Sequence, residues 1–296
     1  MDILRLVFFR RLASIVRLTV GFVFVSLCSI VTLLVAVLLL PSRVLRIKLC
    51  NAYGKVVGPV ILWLAGATPH VTGRERIAEY RPAIYVSNHT STLDTFVAIW
   101  LCPIGGCGIA KKEVLRIPFF GWLYLLSGHM TIDRADRAGA ISVMTETAEF
   151  VRKNRLSMWL WPEGTRSKDG RLLPLKKGFF HIALATRLPI VPIVVHRAHE
   201  NWKKHGFTFV PIDLNIDVLP AISTAEWKPE TADQHIAEVH TAFANALGET
   251  QKPVGSHPET TAVGAGGVGR AHSPKAVLLA RLRHPPSSLR FWTETR

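Results

Sequence analysis

Hydrophobic and polar positions divide the chain into three regimes. Residues 18–40, LTVGFVFVSLCSIVTLLVAVLLL, are a run of 23 uncharged residues, which predicts an apolar helix long enough to cross a bilayer core. A second apolar stretch, 56–67, is too short to span and contains Gly58-Pro59. Together they predict membrane-embedded N-terminal helices, either spanning or dipping into one leaflet as a hairpin. From about Thr72 short apolar runs alternate with amphipathic ones. The strand candidates are 83–87, 129–133, 157–161, 189–195 and 207–218; the helix candidates are 94–101, 121–127, 138–153, 177–186 and 229–247. That alternation predicts a single α/β domain, with a central mixed or mostly parallel sheet flanked by helices. After Leu247 the chain turns to Gly, Pro, Ala, Ser and scattered Arg, a composition that does not build a packed core. The expected division is therefore 1–70 as membrane anchor, 71–248 as the folded domain and 249–296 as a disordered basic tail.

Charge changes this picture in one respect. The net charge is +15, but residues 1–55 hold 8 basic residues against 1 acid, whereas residues 56–248 hold 21 against 17. The excess lies beside the most apolar segment, which suits anionic lipid headgroups. A nucleic-acid partner would need the basic residues clustered on the folded domain, so nucleic acid is not expected. The apolar run is too long for a signal peptide, and Leu40-Pro41-Ser42-Arg43 is no small-residue cleavage site. Arginines flank both of its ends, so the flanking charges set no orientation. The four cysteines have neither zinc-site nor redox spacing and read as reduced, buried residues.

The stretch with most chemistry is Val86-Ser87-Asn88-His89-Thr90-Ser91-Thr92-Leu93-Asp94, between a strand candidate and a helix candidate. On a regular helix, residues five apart stand about 140° from each other. His89 and Asp94 therefore meet only if His89 lies in the turn and Asp94 in the first helical turn. Asp94 would then hold one ring nitrogen and leave the other to take a proton, as a general base requires. The same residues also fit a structural role, with Ser91 as N-cap and Asp94 as a first-turn acid. Further strand ends carry Gly128-His129-Met130-Thr131-Ile132-Asp133-Arg134 and Trp161-Pro162-Glu163-Gly164-Thr165-Arg166-Ser167. The guanidinium groups of Arg134 and Arg166 suit a phosphate, with Thr165 and the backbone at Gly164 as added donors. Alternatively, Arg134 pairs with Asp133 or Asp136, and Arg166 with Glu163 or Asp169. Lys111 and Lys112 are either helpers of a phosphate or oxyanion, or part of a solvated loop.

As an ordered set, NHTSTLD, GHMTIDR, WPEGTRS and LPIVPIVV resemble the four-block signature of the glycerolipid acyltransferases. The likeness is to their bacterial branch that acylates 1-acyl-sn-glycerol 3-phosphate, and it is specific over about residues 80–195. Trp161 stands where the family usually has Phe, and His129-Met130 where it often has apolar or aromatic residues. The resemblance implies the family's fold and a membrane-bound enzyme of phospholipid biosynthesis. It would move an acyl chain from acyl-CoA or acyl-carrier protein to the sn-2 hydroxyl of the lysophospholipid, giving phosphatidic acid. It implies His89 and Asp94 as the catalytic pair, and Arg134, Glu163, Gly164, Thr165, Arg166 and Lys111 as substrate-binding. No cofactor or metal is implied; the acyl thioester is a co-substrate. The expected location is the inner membrane, with the catalytic domain facing the cytosol. A sibling enzyme with another acceptor (a lyso-ornithine lipid, another lysophospholipid or glycerol 3-phosphate) shares these blocks. The remote alternative is a non-catalytic membrane-anchored binding protein.

Overall fold

A computed structural model describes residues 3–133, 135–203 and 206–253. Two long helices, α1 (Ile3–Leu38) and α2 (Arg43–Leu64), precede the sheet. Then follow β1 (Ala67–Thr72), α3 (Arg76–Glu79), β2 (Ile84–Ser87), α4 (Leu93–Leu101), β3 (Gly106–Lys111), α5 (Phe120–Leu126) and β4 (Met130–Ile132). The chain continues through α6 (Arg137–Asn154), β5 (Ser157–Leu160), α7 (Gly178–Thr186), β6 (Ile190–Val195), α8 (Ala198–Asn201), β7 (Ile212–Val218) and α9 (Ala232–Ala246). The strands form one sheet in the order β1-β7-β6-β2-β5-β3-β4, parallel throughout except for the β6–β7 pair. This is the expected α/β architecture.

Every residue of β2, β5 and β6 is buried. Helices cover both faces, so these strands need no polar alternation. Ile84, Val86, Met158, Ile190 and Val194 face a layer containing Val151, Phe179, Phe180 and Phe243. Their neighbours Tyr85, Trp159, Val191, Ile193 and Val195 face Leu62, Val97, Leu101 and Ala198 on the other side. Because β2, β5, β3 and β4 run the same way, the turns after them gather along one edge of the sheet.

The N-terminal region differs from expectation. The second apolar stretch is the end of a longer helix, α2, which starts at Arg43 and runs unbroken through Gly58-Pro59. Gly54 and Gly58 allow close packing on α4: a Cβ at Gly54 would lie 2.5 Å from the Ile99 carbonyl oxygen, and one at Gly58 would lie 2.6 Å from Trp100 Cβ. The strand β1 begins at Ala67 and pairs with β7 over six residues, so the sheet starts before the expected boundary at 70/71. The first helix is longer than the apolar run and lies against the domain. The Ser14 hydroxyl accepts the Phe209 amide at 3.1 Å, Gly21 faces Ile61, and the Ser29 and Tyr53 hydroxyls meet at 3.1 Å.

Two further expectations are corrected. The last strand covers only Ile212–Val218 of the expected 207–218, because Pro211 has no amide to donate to a ladder. Residues 251–253, expected in the tail, pack on the domain, with Gln251 only 1% exposed, while Glu249 and Thr250 stay exposed. The rest of the expected tail, 254–296, lies outside the described residues.

Candidate active site

The turn from β2 into α4 is built by side chains that tie its backbone down. Asn88 exchanges two hydrogen bonds with Val195 at the end of β6, at 2.9 and 2.8 Å. The Ser91 hydroxyl donates to the Trp202 carbonyl at 2.7 Å and accepts the Leu93 amide at 3.1 Å. Asp94 lies in the first turn of α4, 1% exposed. Its Oδ2 accepts the amides of Thr90 at 2.6 Å and Ser91 at 2.8 Å, and lies 3.1 Å from His89 Nδ1. The spacing of five works as the sequence requires: the histidine is in the turn and the acid is on the helix. Asp94 thus serves the turn and the imidazole together, so the structural and chemical readings of this residue are compatible.

Held at Nδ1 by Asp94, the His89 ring keeps Nε2 for the cavity it lines. Its face stacks on Trp161, with centroids 4.6 Å apart. Its backbone is fixed from the β5–α7 loop: the His89 amide donates to Glu163 Oε1 at 2.7 Å, and its carbonyl accepts the Ser167 amide at 2.8 Å. The other Glu163 oxygen accepts the Leu173 amide at 3.0 Å. Glu163 is 1% exposed, and burial pushes its carboxyl up to about 8 although both amides favour the charged form.

The cavity holds about 650 Å³, within the range of small-molecule sites. Besides His89, its polar lining includes Thr92, Lys111, Thr165 and Arg166. It extends between α1, α2 and α4, where Phe22, Val25, Ile61 and Phe96 make it apolar. Arg166 donates from Nη1 to the Thr92 hydroxyl at 2.5 Å and, among the described residues, has no acidic partner. The alternative pairing with Glu163 or Asp169 is therefore not made. Glu163 is taken by two amides, and Asp169 accepts from the Ser167 hydroxyl and the Arg171 amide.

The expected site residues thus separate into groups. His89, Lys111, Thr165 and Arg166 share the cavity, with Asp94 directly behind His89. Glu163 and Gly164 do not line it. Glu163 is buried behind the turn as a brace for residue 89, and Gly164, at φ +71°, is covered by the stem of Lys176. Arg134 lies outside the described residues. Of its possible acidic partners, Asp133 accepts the Ala135 amide and Asp136 caps α6 through the Gly139 amide.

Among the cavity residues that the sequence did not mark as functional, one carries a second imidazole ring. His129 lines the wall, and its Nδ1 accepts the Gly108 amide at 3.1 Å while its ring stacks on Tyr124. An imidazole that accepts at Nδ1 carries its proton on Nε2. Burial, with Arg43 adding to it, pushes its pKa down to about 4. The available signal was a polar residue within GHMTIDR at a place the resembled family fills with apolar or aromatic side chains.

Known proteins resemble this chain over the stretch that holds His89, Asp94 and Arg166. A family model described as Acyltransferase matches residues 68–196. The 1-acyl-sn-glycerol-3-phosphate acyltransferase of Limnanthes douglasii is 41% identical over 248 residues, covering 84% of this chain and 88% of its own. The Escherichia coli (strain K12) protein of the same name is 33% identical over 179 residues, covering 59% of this chain and 71% of its own. The likeness thus takes in plant as well as bacterial proteins. The crystal structure of the 1-acyl-sn-glycerophosphate acyltransferase from Thermotoga maritima matches with a TM-score of 0.65 at 24% identity, over 78% of this chain and 92% of that one. That match is a likeness of fold.

Proposed function

The chain belongs to the acyltransferase family of the 1-acyl-sn-glycerol-3-phosphate acyltransferases, and from that premise we propose which reaction its cavity carries out. The acceptor is 1-acyl-sn-glycerol 3-phosphate, the donor is an acyl thioester of CoA or of acyl-carrier protein, and the product is phosphatidic acid. The observation that carries this reading is His89, held by a buried carboxylate and open at Nε2 on a cavity that joins Arg166 to an apolar channel.

Nε2 of His89 takes the proton of the sn-2 hydroxyl as that oxygen attacks the thioester carbonyl carbon. Asp94 fixes the tautomer and stabilises the imidazolium that forms. When the tetrahedral intermediate collapses, the carbon–sulfur bond breaks and the imidazolium returns its proton to the thiolate. The substrate supplies the nucleophile, so no covalent acyl-enzyme forms. Arg166, whose fork meets no acid among the described residues, takes the acceptor phosphate. Lys111 is a cation on the same wall for the phosphate or the oxyanion. The reading assigns no metal or other cofactor to the reaction.

The helices support membrane attachment as part of this reading. Phe8–Leu38 is long and apolar enough to cross a bilayer. Between Ser14 and Ser29, roughly 22 Å of helix at 1.5 Å per residue, one face is committed to the domain. The other face exposes Phe8, Leu12, Val16, Val23 and Leu27. This favours α1 lying in one leaflet beside the domain, over a separate spanning helix. Both lipid substrates then reach the cavity without leaving the bilayer, from the cytosolic side where the thioester donors are. On this reading residues 1–66 anchor a catalytic domain that extends through Pro253.

The test is direct. The purified chain in lipid vesicles is given radiolabelled oleoyl-CoA with lysophosphatidic acid, a lyso-ornithine lipid, lysophosphatidylcholine or glycerol 3-phosphate. Phosphatidic acid is expected as the main product; preferential acylation of another acceptor overturns the substrate, and no acyl transfer to any of them overturns the activity. Repeating the assay with oleoyl-carrier protein separates the two donors.

A further inference from the structure

Gln251 joins the two loops that hold the backbone around His89. Its Oε1 accepts the Arg197 amide at 2.8 Å, its Nε2 donates to the Gly170 carbonyl at 3.4 Å, and its own carbonyl accepts the Leu172 amide at 2.9 Å. The next carbonyl, that of Lys252, accepts from the Arg171 guanidinium at 3.0 Å. On one side the chain runs from Leu172 to Leu173, whose amide reaches Glu163, whose other oxygen holds the His89 amide. On the other side Arg197 lies two residues beyond Val195, which exchanges its pair of bonds with Asn88, the neighbour of His89. A residue 162 positions away in sequence therefore touches both supports of the turn.

Neither Gln251 nor Glu163 lines the cavity, so neither acts by touching substrate. Gly170 adds a constraint on the same loop. Its φ is +84°, and a Cβ there would lie 2.3 Å from the His199 ring, so the loop sits flat on that imidazole in a conformation suited to glycine. A polar side chain buried at such a junction connects partners that an apolar one would leave unbonded.

We propose that Gln251 is a positioning residue for acyl transfer. By joining the Leu172 loop to Arg197, the C-terminal segment keeps Glu163 against the backbone of residue 89 and sets where the imidazole stands relative to the acceptor hydroxyl. This rests on His89 acting as the base.

The test uses the full chain. Gln251→Met keeps the length and volume of the side chain and removes both of its hydrogen bonds. Val239→Ala, a buried core change in α9, is the stability control. Well below the Tm of each variant, Gln251→Met is expected to lower kcat by ~10–100-fold, the scale set by a misplacement of about 1 Å at the reacting atoms. KM for lysophosphatidic acid and for oleoyl-CoA stays within about 2-fold, since the cavity wall is untouched. The Leu173 amide loses hydrogen-exchange protection in parallel. Val239→Ala keeps kcat within about 2-fold even where its Tm falls further. Gln251→Glu, which retains the acceptor for Arg197, recovers part of the lost kcat, and it is the variant read if Gln251→Met does not fold.

Unchanged kcat in Gln251→Met overturns the proposal, as does a loss that Val239→Ala reproduces at equal Tm. Absence of product from the unaltered chain overturns the reaction assigned above instead. Exchange at Leu173, measured without substrate, then still decides whether Gln251 positions the loop, and unchanged protection in Gln251→Met sinks the proposal.

Discussion

His89 and His129 line the same cavity, yet their surroundings give them opposite chemistry. His89 has a carboxylate at Nδ1, which fixes the proton there and leaves Nε2 as an acceptor. His129 has the Gly108 amide at Nδ1, which fixes the proton on Nε2 and leaves a donor. Behind the His89 ring stands the buried Asp94 carboxyl, 3.1 Å from Nδ1. Burial and the Arg43 guanidinium keep His129 neutral. What a histidine can do in this cavity is decided by the group behind it more than by the space in front. The contrast also says which ring should matter for turnover, and four substitutions would break or sharpen it.

The largest effect is expected at the ring with the carboxylate. His89→Ala should lower kcat by ~10²–10⁴-fold or more, the usual contribution of a positioned base, while lysophosphatidic acid still binds. Retention of near-normal turnover, measured as phosphatidic acid formed per enzyme, would remove His89 from the mechanism. Asp94→Asn exchanges the acceptor behind His89 for an amide that also donates, which makes the ring resemble His129. An expected loss of ~10²–10³-fold in kcat, with KM little changed, follows from the lost tautomer control and charge. If Asp94→Asn proves as active as the parent, the partner behind the ring is not what distinguishes the two histidines.

Arg166→Ala acts on the acceptor instead of the base. A charge-assisted contact is worth ~1.5–3 kcal/mol, so KM for the phosphate-bearing acceptor should rise by ~10–150-fold with a smaller change in kcat. An unchanged KM would move the phosphate away from Arg166 and reopen Lys111 as its principal contact.

The legible parts of the molecule were those whose chemistry is local. The buried strands β2, β5 and β6 announce themselves by unbroken apolar runs, and His89 with Asp94 by a spacing that only a turn followed by a helix can close. The strand β3, GCGIAK, is rich in glycine, and β1, ATPHVT, mixes Pro and His, so neither carries the apolar β-branched pattern of a strand. Both are strands because their neighbours supply the ladder. In α2, Gly58-Pro59 reads as a helix breaker, but tertiary packing on α4 outweighs the lost hydrogen bond. Glu163 sits in a motif that invites assignment to substrate, and only the fold shows both its oxygens committed to amides. Gln251 lies in a stretch whose composition reads as tail. Its partners are at 170, 172 and 197, too far along the chain for any local pattern to reveal.

The smallest expected effect on turnover is at the other histidine, and it carries the most information about the contrast. His129→Phe fits an aromatic ring into the same stack on Tyr124 and removes the Nε2 donor. If His129 is not the base, kcat should stay within about 3-fold, against the ~10²-fold or greater loss at His89. The substitution should be visible in stability instead. In the folded chain His129 is neutral down to about pH 4, whereas the unfolded chain binds that proton near pH 6.5. Between those values the unfolded state holds more protons, so the parent loses stability as pH falls from about 6.5 toward 4. His129→Phe removes that dependence but also orphans the Gly108 amide, which costs about 1–3 kcal/mol at every pH. Its Tm should therefore start below the parent's at pH 7.5 and close the gap on acidification. A gap that stays constant from pH 7.5 to 4.5 would mean that His129 titrates normally in the fold, and that the two rings differ less than their partners imply.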